Sequence, residues 1–183
     1  MSSTAFNPNT IKVGISSCLL GQEVRFDGGH KRSSFCTDIL GGHVDFVPVC
    51  PEVGAGLGLP RPTIRLEIKE GGTRAVRRDG LDVTSALVEF GERTLPGLDH
   101  LSGYIFCARS PSCGMERVKV YQANGHSRAN GIGIYAEALM RRYPSLPVEE
   151  NGRLNDLTLR ENFVTRLYAF HHWKSVVAAG MTA

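Results

Sequence analysis

Short β-branched and aromatic runs alternate along the chain with stretches of helical period. Ile11–Ile15, Val44–Val49 and Leu101–Ala108 have the length and apolar content of buried strands. From Thr63 to Lys69 the pattern alternates, which predicts Ile64, Leu66 and Ile68 inward and Arg65, Glu67 and Lys69 outward. Gly71-Gly72 then turns the chain, and Thr73–Arg77 returns as the second arm of a hairpin. Arg117–Tyr121 and Leu146–Glu149 are shorter strand candidates. Helical period marks Thr84–Leu95, with Leu87, Val88, Phe90 and Leu95 apolar and Pro96-Gly97 as the stop. Gly131–Tyr143 is a second helix. A third opens on a capping box of Thr158 and Glu161, runs to about Val177 and is expected to bury Phe163, Val164, Leu167, Tyr168 and Phe170. Ser33–Leu40 predicts a short helix ended by Gly41-Gly42.

Strand–helix alternation of this kind predicts an α/β fold: a single three-layer, Rossmann-like domain over residues 11–183 with a mostly parallel sheet. Residues 1–10 are small and polar and predict a flexible tail. A chain of 183 residues has room for one real core. The net charge of +3 suits an anionic small ligand but gives no argument for nucleic acid, and no basic–aromatic platform stands out. Apolar runs are too short to span a bilayer, and the N-terminus has no signal pattern. The expectation is a cytoplasmic protein without a membrane or nucleic-acid partner. Its oligomeric state is not legible.

The cysteines change the picture. There are five, an odd number, and none form a C-x-x-C pair. That spacing argues against zinc ribbons, thioredoxin chemistry and the compact ferredoxin run. Cys18, Cys50 and Cys113 each follow a predicted strand and enter a loop rich in serine, proline or glycine. In an open α/β sheet such loops meet at the carboxyl edge, where ligands bind. The three thiols thus read as ligands converging on one metal or cluster, since thiolates are soft donors suited to iron–sulfur sites. Cys36, on a helix face, and Cys107, inside an apolar strand, read as structural thiols.

Glu52 stands two residues beyond Cys50, and Ser110 and Ser112 flank Pro111 just before Cys113. These are candidates for moving a proton or holding a water. The plainer alternatives are that Glu52 caps a helix or pairs with Arg61, and that the serines only shape the turn. The loop Ser16–Arg32 is of the kind that carries function. Its Arg25, Asp27 and Lys31, with Arg61 further on, are the candidate substrate contacts. The bland reading makes the basic residues a solvated face. Gly131-Ile132-Gly133 either presents helix amides to an anion or merely punctuates the chain. His171-His172 reads as surface or core edge.

Three stretches resemble motifs of the DUF523 family, the thiouracil desulfidases called TudS. They are Ser16-Ser17-Cys18-Leu19-Leu20-Gly21 with Val24-Arg25-Phe26-Asp27-Gly28; Cys50-Pro51-Glu52 with Pro60-Arg61-Pro62; and Ser110-Pro111-Ser112-Cys113-Gly114-Met115. They occur in the family's order. The resemblance implies a 4Fe–4S cluster on Cys18, Cys50 and Cys113 whose fourth iron is open to a substrate sulfur. It implies a small thiolated pyrimidine, such as 4-thiouracil or its nucleoside or monophosphate, hydrolysed with release of sulfide. It carries the family's catalytic glutamate to Glu52 and its serine to Ser110 ahead of Ser112. Pro147–Asp156 further resembles members fused to a second domain, DUF1722, for which this chain is expected to have no room. The competing class is a non-catalytic cluster protein, a sensor or sulfur carrier.

Overall fold

The structure, a computed structural model, describes residues 6–180. A first sheet is formed by β1 (Lys12–Ser16), β2 (Asp45–Val49), β5 (Gly103–Phe106) and β8 (Val148–Glu150) in the spatial order β2-β1-β5-β8. All three pairings in it are parallel. The expected α/β class with a mostly parallel sheet is what the chain forms. β5 is buried at every position, so Gly-Tyr-Ile-Phe has to be apolar or small throughout. Tyr104 points toward α3 (Ile134–Arg142), its ring 6.3 Å from that of Tyr135. Gly103 faces α4 (Leu157–Ala178), where a Cβ would come within 2.8 Å of Leu167.

A second sheet, not anticipated as a separate unit, has the order β4-β3-β6-β7. It comprises β3 (Ile64–Lys69), β4 (Gly72–Arg77), β6 (Val118–Tyr121) and β7 (Ser127–Gly131). α2 (Thr84–Thr94) connects the two, and its Leu87 joins Leu66, Ala75 and Val120 in a small core of their own.

Several local expectations are corrected. Ile68 is 51% exposed rather than inward, because it lies at the hairpin end beyond the residues where β3 pairs with β6. β7 was not predicted, and the helix expected from Gly131 begins at Ile134. Asp156, not Thr158, caps α4, its carboxylate accepting from the Leu159 amide at 3.0 Å. Val88 and Tyr168 are exposed, while His171 is buried. The Ser33–Leu40 helix is a single wide π turn over Phe35–Ile39 followed by a tight 3-10 turn. Of the expected tail, residues 1–5 lie outside the described residues. Phe6 and Pro8 lie against α4, with His171 Nε2 3.1 Å from the Pro8 carbonyl and the Phe6 ring tilted against the His171 ring at 5.3 Å between centroids.

Candidate active site

The order β2-β1-β5 places a reversal of direction beside β1: the chain moves from β1 to β2 on one side and later returns to β5 on the other. The crevice beyond the carboxyl ends of β1 and β5 is therefore the switch point at which such sheets bind ligands. Here it is a cavity of about 330 Å³, at the small end of ligand pockets. Cys18, Cys50 and Cys113 all line it. Cys18 sits in the 3-10 turn Ser17–Leu20 that follows β1, and Cys50 caps α1 (Pro51–Gly54) directly after β2. The stretch expected as a glycine-rich loop after Cys50 thus begins with a helical turn, started by Pro51 at a position where its missing N–H costs nothing.

Cys113 is held more elaborately. The first amides of α3 have no partner within their own helix, and they are spent on the preceding loop. Gly133 N donates to Gly114 O at 2.7 Å, Ile134 N to Pro111 O at 3.1 Å, and Tyr135 and Ala136 N to Ser112 O at 3.0 and 3.1 Å. Gly133 has to be glycine, since a Cβ would fall 2.5 Å from the Ser112 carbonyl carbon. The helix start therefore binds this loop rather than an anion. From the other side Glu150, at the end of β8, accepts the Met115 amide at 2.9 Å. Burial pushes the Glu150 carboxyl above its ordinary range.

A connected polar chain runs along the wall. Ser112, 1% exposed, donates to Glu52 Oε1 at 2.6 Å, and its Oγ lies 3.0 Å from that of Ser110. Ser110 Oγ also accepts the amides of Ser112 and Cys113, at 3.3 and 3.1 Å. Arg61 Nε and Nη2 both donate to Glu52 Oε2, the first at 2.8 Å. The remaining Arg61 contacts go to the Gly58 and Val24 carbonyls. Arg61 is buried, with four hydrogen bonds drawn from its five N–H donors. Its place is to hold Glu52, so the plainer expectation of a Glu52–Arg61 pair is met. Arg25 and Lys31 do line the cavity. Asp27 does not, because its carboxylate turns back onto the Gly29 amide at 3.0 Å.

Cys107 is also in the cavity wall. β5 ends at Phe106, so Cys107 lies just past a strand, not inside one, in the position Cys50 holds after β2. The rule that singled out the other thiols would have found it had the strand been read as shorter. Ser16 Oγ accepts the Cys107 amide at 2.9 Å, tying β1 to this loop. The neighbouring Cys18 and Cys107 thiols influence one another: the pairing and burial raise Cys18, and the same pairing lowers Cys107. Burial pushes Cys50 and Cys113 up as well. Cys36 is buried and lines no part of this cavity.

An α/β protein with thiols and an acid–serine chain at its switch point is the class that fold and site define. The family model for 2-thiouracil desulfurase matches residues 13–151, and the chain belongs to that family. The curated protein YbbK of Bacillus subtilis (strain 168), described as uncharacterized, is 29% identical over 151 residues, covering 78% of this chain and 97% of the relative. The solved structure of the [4Fe-4S]-dependent thiouracil desulfidase TudS (DUF523Vcz) superposes with a TM-score of 0.64 at 34% identity, over 84% of this chain and 99% of that one. Among the described residues no helix is long and apolar enough to cross a membrane.

Proposed function

We propose that this chain removes sulfur from thiolated uracil compounds by hydrolysis, with a 4Fe–4S cluster held by Cys18, Cys50 and Cys113. The observation that carries the reading is one cavity at the switch point where three thiols from separate loops meet the hydrogen-bonded chain Ser110–Ser112–Glu52. The donors fit the cluster. They are soft, and burial keeps their protons on unless a cation replaces them. Among the described residues no three His, Cys, Asp or Glu side chains gather tightly enough for a single metal ion. A cubane does not need that, because each thiolate binds a different iron. Arg25 and Lys31 offset the negative charge of the thiolates. When bound, such a cluster supplies an open iron, a soft Lewis acid for the thiocarbonyl sulfur.

The polypeptide's own contribution is the proton path. Glu52 as a carboxylate only accepts, so Ser112 donates to it and accepts from Ser110. Ser110 is already an acceptor of two amides, which leaves its hydroxyl proton for Ser112. The chain is thus oriented to carry a proton along the cavity wall toward Glu52. A water attacking the ring carbon gives its proton to Ser110, whose long 3.3 Å contact with the Ser112 amide yields the lone pair for it, while Ser110 passes its own proton to Ser112 and Ser112 passes its own to Glu52. The balance is water plus thiocarbonyl giving carbonyl plus hydrogen sulfide. Both serines therefore matter, whereas the resemblance alone ranks Ser110 first. Arg61, which also lines the cavity, positions Glu52 through its two bonds to Oε2.

A second reading is favoured by one observation: Cys107 brings a fourth thiol to the cavity. Four thiolates would close the cluster and make the protein a sensor or sulfur carrier. Anaerobic reconstitution followed by incubation with 4-thiouracil compounds separates the two, since a closed cluster releases no sulfide.

A further inference from the structure

Cys107 has no task in the proton path or in the proposed ligand set, yet it lines the same cavity as Cys18. The two stand at the carboxyl ends of neighbouring strands, Cys18 two residues past β1 and Cys107 one past β5. β1 and β5 pair in parallel with Ile15 opposite Ile105. Carried two residues on, that register sets Cys107 opposite Ser17, the residue before Cys18. Paired strands lie about 4.8 Å apart, and a disulfide spans about 4.4–6.8 Å between Cα atoms. The two thiols are also near enough to influence one another.

The backbone holds both residues in place. Ser16 Oγ accepts the Cys107 amide at 2.9 Å, and Asn151 Oδ1 accepts the next amide, that of Ala108, at 3.0 Å. The Cys18 carbonyl accepts the amides of Lys31 at 2.9 Å and Gly21 at 3.3 Å. The other cavity thiols are placed differently. Cys50 follows β2, on the far side of β1 from β5, so it stands two strand spacings from Cys107, about 9–10 Å and beyond disulfide reach. Cys113 belongs to the loop that the start of α3 binds.

We infer that Cys18 and Cys107 form a reversible disulfide when the protein is without its cluster, and that Cys107 thereby protects the ligand Cys18 from irreversible oxidation. A peroxide oxidises one thiol to a sulfenic acid with release of one water. The neighbouring thiol then attacks that sulfur, the S–S bond forms and a second water leaves. Two thiols and one peroxide thus give one disulfide and two waters. A sulfenic acid without a partner goes on to sulfinic and sulfonic acids, which thiols do not reduce. From the disulfide, a dithiol reductant restores both thiols and is itself oxidised to a disulfide. The bond needs only the two cysteines; that it blocks cluster uptake rests on the reading of Cys18 as a ligand.

The test starts from iron-free, full-length protein, reduced, freed of reductant without oxygen and treated with a small excess of hydrogen peroxide. Wild type should lose two of its five free thiols and yield a linked pair of peptides holding Cys18 and Cys107, seen by mass spectrometry without reduction. On anaerobic reconstitution the oxidised protein should take up about tenfold less iron than untreated protein, and dithiothreitol should restore the uptake. Cys107→Ser and Cys107→Ala should load normally before peroxide. After the same cycle they should recover about tenfold less iron than wild type, with Cys18 carried to sulfinic acid. Cys36→Ser should behave as wild type. The peptide map is made on the unaltered chain, so misfolding of a variant cannot mask the result. Peptides joining Cys107 to Cys50 or Cys113, no disulfide at all, or full recovery of iron in both Cys107 variants would overturn the inference. A Cys18–Cys107 disulfide in a protein whose iron uptake is unaffected by it would refute the ligand role of Cys18 and leave the bond standing.

Discussion

Glu52 is the residue on which the two halves of the site depend, because one oxygen faces Arg61 and the other Ser112. Replacing it by glutamine keeps the shape and removes the proton acceptor. Glu52→Gln should therefore hold the iron and sulfide content of the reconstituted protein while lowering kcat about 10²–10⁴-fold, the usual worth of general acid–base groups. Ser112→Ala breaks the same path and should cost a similar factor, and full activity in either variant would remove the relay. Arg61→Ala is different in kind. It strands a largely buried carboxylate, and denaturant unfolding should show a loss of about 3–5 kcal/mol, the cost of breaking a buried pair from one side. At this scale the sequence was informative about which residues meet and less so about who holds whom. Cys18, Cys50, Glu52 and Cys113 stood out because each follows a strand into the loops where open α/β sheets bind ligands. The Ser112–Glu52 bond joins residues 60 apart in the chain, and no local pattern encodes it. Arg61 read either as a substrate contact or as the partner of Glu52, and its burial, with bonds to the Val24 and Gly58 carbonyls, is set by loops the local sequence does not reveal.

Among the elements, the junction of α3 with the Cys113 loop does most to fix the site. Three helix amides and that of the capping Gly133 donate to loop carbonyls there, and Gly133 permits the approach. Gly133→Ala should force the two apart, at about 1–3 kcal/mol by analogy with overpacked cores. Iron loading should fall with it, measured per chain after reconstitution. A variant of normal stability and loading would show that the loop is fixed by other contacts. The strands that carry the thiols were legible because buried parallel strands are continuous apolar runs. β7 was not, since Ser-Arg-Ala-Asn-Gly has no β-branched or aromatic residue and is held in the sheet by its pairing with β6. The α4 cap was misplaced by two residues because Thr158 and Glu161 satisfy the capping pattern, yet Asp156 lies where the chain turns out of the preceding 3-10 turn.

For the molecule as a whole, stability should depend on pH through a group far from the chemistry. His100 is buried, its Nδ1 lacks a partner among the described residues, and burial lowers its pKa below the ordinary 6.5. The unfolded chain then binds a proton that the folded chain resists. Its contribution to stability is fully present above pH 6.5 and is lost as the pH falls from there through the lowered folded value. Thermal unfolding from pH 7.5 to 5 should show this slope and His100→Gln should reduce it; an unchanged slope in that variant would exclude His100 as the source. The central claim concerns the cluster and the reaction together, and sulfide measured against pyrimidine product is its most direct test. Protein reconstituted without oxygen should carry about four irons and four sulfides, as the cubane requires, and release one sulfide per uracil product from a 4-thiouracil compound. Cys18→Ala, Cys50→Ala and Cys113→Ala should each lose cluster and activity, while Cys107→Ala keeps both. A fully loaded protein that releases no sulfide, or a cluster that depends on Cys107, would contradict the account.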